Sequence, residues 1–176
     1  MNVSARQFRD PGFVAGVRQC LDETGLVPPA LMLELTESAL MRPSERIISD
    51  LAELKDIGVW LAIDDFGTGY SSLSYLRDLP FDVLKIDKSF VDGISESPKG
   101  QAFAELIIEF AKVMEIEVIA EGIETEAQRD VLSEMGCKYG QGFLLAMPME
   151  WREAEALLRA GGVLSPGLHR RTRDWT

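Results

Sequence analysis

Several acidic side chains of this 176-residue chain stand directly after short apolar runs, and side chains of this type suit metal-assisted chemistry. The stretch LAIDDFGTGYSSL ends one such run with Asp64 and Asp65 side by side. The segments LELTES and IAEGIE repeat the pattern. The candidate polar residues at the ends of the runs are Glu34, Glu37, Asp64, Asp65, Lys85, Asp87, Glu121, Glu124 and Gln141.

These carboxylates would repel one another strongly if the strand ends converged without cations between them. The candidate ligands are the acids and the amide of Asn2, with no thiol cluster and a single histidine in the tail. Such an oxygen-only set favours Mg²⁺ or Mn²⁺ over Zn²⁺. Asp64 and Asp65 are suited to bridge two ions about 3.5–4 Å apart, as in two-metal phosphoryl hydrolases. Lys85 would orient water or stabilise a developing oxyanion.

The periodicity of the apolar residues predicts that strands alternate with helices along the chain. Short aliphatic runs bounded by Gly, Pro or polar residues predict strands over 31–37, 59–65, 81–87, 116–122 and 139–145, with a shorter one at 2–4. Helical spacing predicts helices over 11–25, 43–58, 100–115 and 125–136. Thr125 and Gln128 have the spacing of a capping box, and Gly58 is suited to end a helix.

This alternation indicates an α/β fold of parallel strands covered by helices. An open doubly wound sheet and a (β/α)8 barrel both fit, and both place active sites at the carboxyl ends of their strands. A complete barrel takes about 250 residues, so the chain is short of one by roughly two units. An acid after a strand also commonly caps the next helix, which is the alternative interpretation of Glu124 and Asp87.

The acid pair is followed by a glycine-rich loop that contains Gly67, Thr68, Gly69, Tyr70 and Ser71. Its glycines and hydroxyl groups are typical of a loop that closes over a site or meets a partner. The alternative is an ordinary turn before a helix over 71–76.

The composition excludes several classes of protein. A formal charge of −11 argues against a DNA binder, because such proteins need excess Lys and Arg. No apolar run reaches the length of a membrane span, and MNVSARQFRD is not a signal peptide. Two cysteines indicate no disulfide framework, so we expect a cytoplasmic setting. The glycines, proline and basic residues of the tail predict a flexible end over 161–176, after a domain over 1–160.

Taken together, these segments resemble the EAL family of cyclic di-GMP phosphodiesterases. The matching pieces, in the family's order and spacing, are NVS (2–4), ELTES (34–38), DDFGTGYSSLSYL (64–76), LKIDKSFV (84–91), AEGIET (120–125) and QGFLLAMP (141–148). The resemblance covers essentially residues 2 to 155. It implies a bacterial enzyme with a TIM-like barrel that hydrolyses cyclic di-GMP to linear pGpG with Mg²⁺ or Mn²⁺.

The resemblance also implies a role for each matched residue. Asn2, Glu34 and Asp64 would bind one metal ion, and Asp64 and Asp65 would bind the second. Lys85 would hold the attacking water together with Glu121, which would act as the general base. Glu37 would anchor the glycine-rich loop. The remaining matches would support the site or contact the ligand; they are Asp87, Glu124 and Gln141.

The family's Glu-Ala-Leu motif precedes its asparagine motif and is not found there among the 176 residues. The letters EALLRA at 155–160 do not replace it, because they follow the last predicted strand and have helical apolar spacing. We therefore expect an incomplete barrel that lacks its opening strands and one metal ligand, and that hydrolyses cyclic di-GMP slowly at best.

Two other functions fit the sequence. One is a catalytically inactive EAL-type module that binds cyclic di-GMP or a partner protein. The other is an unrelated metal-dependent barrel hydrolase. The resemblance further implies a homodimer through the loop region 66–76, and an upstream sensory or GGDEF-type domain in a longer protein.

Overall fold

The structure, a computed structural model, describes residues 1–40, 44–67, 76–95 and 97–159. The chain forms two compact units. Unit 1 consists of Met1–Lys85 and Ala111–Glu117, and unit 2 consists of Ile86–Phe110 and Val118–Thr176. Strands and helices alternate in both, as the sequence predicts.

Unit 1 contains a sheet whose strands follow one another in chain order. The strands are β1 (Asn2–Val3), β2 (Met32–Thr36), β3 (Trp60–Phe66) and the first three residues of β4 (Val83–Ile86). The helices are α1 (Ala5–Phe8), α2 (Phe13–Thr24) and α3 (Glu45–Ile57), with short 3₁₀ turns at Pro28–Ala30 and Glu37–Leu40. The β1–β2 and β2–β3 pairs are parallel, as the predicted alternation requires.

The register of these strands places the polar candidates on one face of the sheet. Asn2 is paired with Glu34, and Thr36 is paired with Asp64. Because residues two apart on a strand share a face, the Glu34 and Asp64 side chains lie on the same side of neighbouring strands. Leu33 and Leu35 on the opposite face are buried, and this apolar face fixes the register of the polar face.

Unit 2 contains the remaining elements. They are α4 (Lys88–Asp92), α5 (Pro98–Val113, to Phe110 in this unit), β5 (Glu117–Ala120, from Val118 in this unit), α6 (Glu126–Glu134), β6 (Tyr139–Gly140) and α7 (Trp151–Arg159). β5 pairs with β6 in parallel. The last residue of β4, Ile86, also lies in this unit. Its backbone oxygen accepts a hydrogen bond from Glu121 N at 3.0 Å.

Two predicted helix ends, the capping box at Thr125 and the stop at Gly58, are confirmed. Thr125 caps α6 by accepting a hydrogen bond from Gln128 N at 3.2 Å, and the Gln128 side chain accepts one from Thr125 N at 2.9 Å. Gly58 ends α3 with a φ of +97°, a left-handed conformation that glycine adopts without steric cost. The helical pattern expected around EALLRA is confirmed as far as Arg159, the last residue of α7.

The fifth predicted strand, 139–145, is wrong in length. Only Tyr139 and Gly140 pair as a strand, and Gln141 follows it. Gly142 has a φ of +158°, and its backbone lies so close to Ile123 that a Cβ would stand 2.2 Å from Ile123 N. The chain then turns, with Ala146 N donating to Gly142 O. The predicted tail, 161–176, and most of the predicted helix over 71–76 lie outside the described residues.

Two further observations concern the length of the helices and the state of the cysteines. In the part of the chain that the structure describes, no helix is long and apolar enough to cross a membrane. Cys20 and Cys137 are both free thiols, as expected. Burial raises the pKa of the Cys137 thiol to about 11, so this side chain is a neutral core residue at physiological pH.

Candidate active site

The first polar cluster, in unit 1, is centred on Lys85 of β4, which is only 5% exposed. Its ammonium donates to Glu34 Oε2 at 2.7 Å and to Asp64 Oδ1 at 2.9 Å. Three neighbouring strands thus bring two carboxylates and one cation into contact. A lysine is rarely this buried unless it is paired, so the two acids account for its burial.

Asn2 of β1 joins the same cluster. Its amide group lies 3.1 Å from Glu34 Oε2 and 3.2 Å from Asp64 Oδ2. With its nitrogen turned towards the carboxylates the amide donates to both. With its oxygen turned towards them, the amide and the two carboxylates form a group of oxygen atoms. Because these oxygen atoms repel one another, only a cation between them can stabilise the group. Asn2, Glu34 and Asp64 therefore fit a hard divalent ion such as Mg²⁺ or Mn²⁺.

The electrostatics of Glu34 show the effect of its neighbours. Burial acts to raise the pKa of this carboxyl, but the hydrogen bond and charge of Lys85, together with the amino group of Met1, hold the pKa below its ordinary value. Glu34 is consequently ionised at neutral pH, the form in which a carboxylate can bind a metal ion.

Asp65 stands next to the cluster in an unusual backbone conformation. Its φ is +55°, in the left-handed region that residues other than glycine seldom occupy. An oxygen of Asp65 lies within 4.8 Å of one of Asp64. Residues held in this region are common at ligand sites, where the surrounding structure compensates the strain. The two adjacent carboxylates therefore lie close together, and their bridging of two ions stays a prediction.

Glu37 contacts the start of the glycine-rich loop. Its side chain is buried, and Oε2 accepts a hydrogen bond from Gly67 N at 2.9 Å. The anchoring role that the resemblance implies for Glu37 would use this contact and stays a prediction. Of the five loop residues named above, Gly67 is described, while Thr68, Gly69, Tyr70 and Ser71 lie outside the described residues.

The second polar cluster lies in unit 2 and is centred on Glu121, which directly follows β5. Gln141 Nε2 donates to Glu121 Oε1 at 2.7 Å. The backbone of Gln141 is itself fixed, because its N–H donates to Ala120 O and its carbonyl accepts from Ile123 N. Gln141 thus orients the carboxylate of Glu121 from a rigid backbone position.

Asp87 and Glu124 differ in how they use their carboxylates. Asp87 is the N-cap of α4 and accepts from Ser89 N at 3.0 Å, so the capping interpretation is right for this residue. It is wrong for Glu124, because Thr125 is the N-cap of α6. Glu124 instead forms an ion pair with Lys88 at 2.9 Å.

A cavity of about 470 Å³ opens beside the second cluster. Its lining combines the predicted acids with a lysine and an apolar wall: Lys88, Glu121, Gly122, Glu124, Gln141, Gly142, Phe143, Ala146, Met147 and Pro148. Lys88 and Met147 line this cavity but are not among the site residues that the sequence predicts. A single lysine at a helix start and scattered apolar residues in a turn carry no periodic signal.

The EAL domain family matches residues 1–148 of the chain. The bifunctional diguanylate cyclase/cyclic di-GMP phosphodiesterase MucR of Pseudomonas aeruginosa is 43% identical over 158 residues, which are 90% of this chain and 23% of MucR. The chain spans 20% to 23% of the length of such curated relatives.

Solved structures of similar sequence share the fold. The MucR phosphodiesterase in complex with c-di-GMP is 42% identical with a TM-score of 0.83, and the match covers 87% of this chain and 62% of that chain. Klebsiella pneumoniae BlrP1, in a manganese/cyclic di-GMP complex, is 32% identical with a TM-score of 0.78, covering 84% of this chain and 38% of that chain. The predicted fold class, an α/β fold of the TIM-like barrel type, is confirmed by this likeness.

Proposed function

This chain belongs to the EAL domain family, and on that premise we propose that it is a metal-dependent phosphodiesterase that hydrolyses cyclic di-GMP to linear pGpG. The observation that carries the proposal is the cluster in which Lys85 bonds both Glu34 and Asp64 beside the Asn2 amide. The complexes of MucR and BlrP1 with cyclic di-GMP support the choice of substrate.

We assign Asn2, Glu34 and Asp64 to one divalent ion, and Asp64 with Asp65 to a second. The donor chemistry supports Mg²⁺ or Mn²⁺, and the manganese complex of BlrP1 supports the same class of ion. Bound ions would polarise a phosphoryl oxygen and lower the pKa of a bound water. The protein's part would be to hold Asn2, Glu34 and Asp64 on neighbouring strands, and the register of β1, β2 and β3 supports this.

Glu121 is the proposed general base. It would take a proton from the attacking water while the water oxygen bonds to phosphorus and one ester P–O bond breaks. The proton reaches the leaving oxygen, so the product is the linear dinucleotide. Gln141 holds the base through its bond to Glu121 Oε1, and Lys85 would help to hold the water. Positioned proton transfer of this kind typically contributes about 10²–10⁴-fold to the rate.

Asp64→Asn is the variant that tests the metal assignment. We expect it to weaken Mn²⁺ binding by at least about 10- to 100-fold, the usual effect of changing a residue that only supports a ligand, because Asp64 is itself a proposed ligand. Isothermal titration calorimetry measures the affinity, with pGpG release followed by chromatography. Asp56→Asn, an exposed change on α3, is the control and should match the wild type. Equal Mn²⁺ affinity in Asp64→Asn and the wild type would contradict the assignment.

One observation favours a second function, the binding of cyclic di-GMP without hydrolysis. The Lys85 ammonium pairs with Glu34 at 2.7 Å and with Asp64 at 2.9 Å and so compensates part of their charge. A chain that binds cyclic di-GMP in the presence of excess chelator and releases no pGpG with Mn²⁺ would support this alternative over catalysis.

We also propose that the chain forms a homodimer through the region 66–76, and that a sensory or GGDEF-type domain accompanies it in a longer protein. The bifunctional name of MucR supports the second point. Multi-angle light scattering at several concentrations should give a mass about twice 19.5 kDa. A monomer mass at every concentration would contradict the dimer.

A further inference from the structure

The turn from Glu121 to Thr125 links β5 to α6 and carries the proposed base. Gly122 within it has a φ of +72°, a conformation that suits glycine. The amides of Glu121 and Ile123 are bonded to Ile86 O and Gln141 O. The geometry of Glu121 therefore depends on what holds this turn in place.

The stem of Lys88 packs directly on the turn. A Cβ built on Gly122 would stand 2.4 Å from Lys88 Cγ and 2.7 Å from Lys88 Cβ. The lysine methylenes thus occupy the space that the missing side chain leaves. Glycine at this position permits a close contact between α4 and the turn.

The ammonium of Lys88 holds the other end of the same turn. Nζ bonds Asp92 Oδ1 at 2.6 Å, one turn further along α4, and Glu124 Oε1 at 2.9 Å. The hydrogen bonds to Asp92 and then to Glu124 raise the pKa of Lys88, so the side chain is charged throughout the neutral range. Asp92 fixes the lysine on its own helix, and Glu124 connects it to the turn.

Gln128 forms a second connection between the turn and α4. This buried side chain accepts hydrogen bonds from Glu124 N and Thr125 N, both at 2.9 Å, and donates to Val91 O at 3.3 Å. It fixes the backbone after Glu124, whereas Lys88 reaches the Gly122 backbone and the Glu124 side chain. The two contacts together leave the segment between them little freedom.

We infer that Lys88 is a positioning residue that holds the Glu121–Glu124 turn, and through it the carboxylate of Glu121 at the cavity. The expected effect of Lys88 on catalysis rests on the proposed function. The claim that Lys88 holds the turn is independent of that function. Lys88 lines the same cavity as Glu121 and Gln141. Its ammonium is paired with the carboxylates of Asp92 and Glu124, so Lys88 contributes by holding the turn in position.

The exposure of the Lys88 ion pairs determines how much the loss of Lys88 should change the stability of the protein. The side chains of Lys88, Asp92 and Glu124 are about half exposed, and pairs of this kind contribute little to global stability. The expected consequence is a loosened turn in a protein that melts almost normally. This separates a positioning role from a structural one.

The first measurement is hydrogen exchange of the amides of Glu121, Ile123 and Glu124, all of which are hydrogen bonded. Lys88→Ala removes both stem and charge and should speed their exchange about three- to fivefold. Lys88→Met keeps most of the stem and should have a smaller effect, while Lys88→Arg should stay close to the wild type. Lys99→Met, a matched loss of charge at an exposed position, should change nothing in the turn.

The second measurement is the kinetics of pGpG formation. Lys88→Ala should lower kcat about tenfold or more, since small misplacements of reacting groups have effects of this order, with KM within about twofold of the wild type. Lys88→Arg should restore kcat.

Each outcome decides a separate point. Exchange at the turn that is unchanged in Lys88→Ala overturns the inference, whether or not the chain is active. If Lys88→Ala raises KM and leaves kcat unchanged, the inference is overturned in favour of direct contact between Lys88 and the substrate. If Lys88→Ala speeds the exchange but leaves kcat unchanged, the link between Lys88 and Glu121 is overturned. A wild-type chain that releases no pGpG contradicts the proposed function, while the exchange data still decide whether Lys88 holds the turn.

Discussion

Glu121→Gln should lower the kcat of cyclic di-GMP hydrolysis by about 100- to 10,000-fold, the range that a general base typically contributes. The amide keeps the size of the side chain but cannot take a proton from water. Oε1 can remain next to Gln141 Nε2, which donates to it at 2.7 Å in the wild type. Folding should therefore be almost unaffected.

Glu117→Gln is the matched control for this substitution. Glu117 is exposed at the first residue of β5, whereas Glu121 follows the last. The control should retain wild-type kcat, and thermal melts of both variants should lie close to the wild type. If Glu121→Gln keeps normal turnover, the base has been assigned to the wrong residue.

Lys85→Met should destabilise the metal-free protein by about 3–5 kcal/mol, the usual cost of removing one partner from a buried ion pair. The substitution leaves Glu34 and Asp64 facing each other without the ammonium that lies 2.7 and 2.9 Å from them. Chemical denaturation at neutral pH measures the loss in the free energy of unfolding.

The loss should depend on pH in a definite direction. Lys85 lowers the pKa of Glu34 below its ordinary value of 4.5. A lowered pKa in the folded state contributes stability above the unfolded pKa, and this contribution disappears as the pH falls through the folded value. The difference between the wild type and Lys85→Met should therefore be largest at neutral pH and should shrink as Glu34 becomes protonated.

Divalent ions should partly restore the stability of Lys85→Met, because a metal ion can take over the charge compensation of the lysine. At a Mn²⁺ concentration of 100 times the Kd, binding adds about 2.7 kcal/mol. Lys55→Met is the control, since Lys55 bonds both oxygens of Asp82 away from the proposed ligands. A Mn²⁺ response of Lys85→Met no larger than that of Lys55→Met would contradict the metal site.

The sequence predicts the parts of the site that obey strand and helix periodicity. Acids after aliphatic runs indicate a polar edge, and the structure brings Glu34 and Asp64 together through the register of adjacent strands. The capping box of Thr125 and Gln128 can also be predicted from the sequence, because the two residues lie within one helical turn of each other. These features depend on local spacing or on the common direction of parallel strands.

Other features depend on tertiary contacts that leave no local pattern. The shortness of β6 follows from the approach of Gly142 to Ile123, which no alternation of residues signals. The contact of Lys88 with Gly122 joins residues 34 positions apart in the numbering. A lysine that starts a five-residue helix looks in sequence like any solvated residue. For this reason the cavity and its positioning contacts emerge only from the structure.

The most direct test of the proposed catalysis is hydrolysis of cyclic di-GMP by the 176-residue chain in ¹⁸O-labelled water, followed by mass spectrometry of the product. We predict pGpG with one ¹⁸O on its terminal phosphate, formed with Mn²⁺ or Mg²⁺ and absent with excess chelator or in Glu121→Gln. Product that forms equally well with chelator, or whose phosphate carries no label, would contradict water attack at a metal-dependent site.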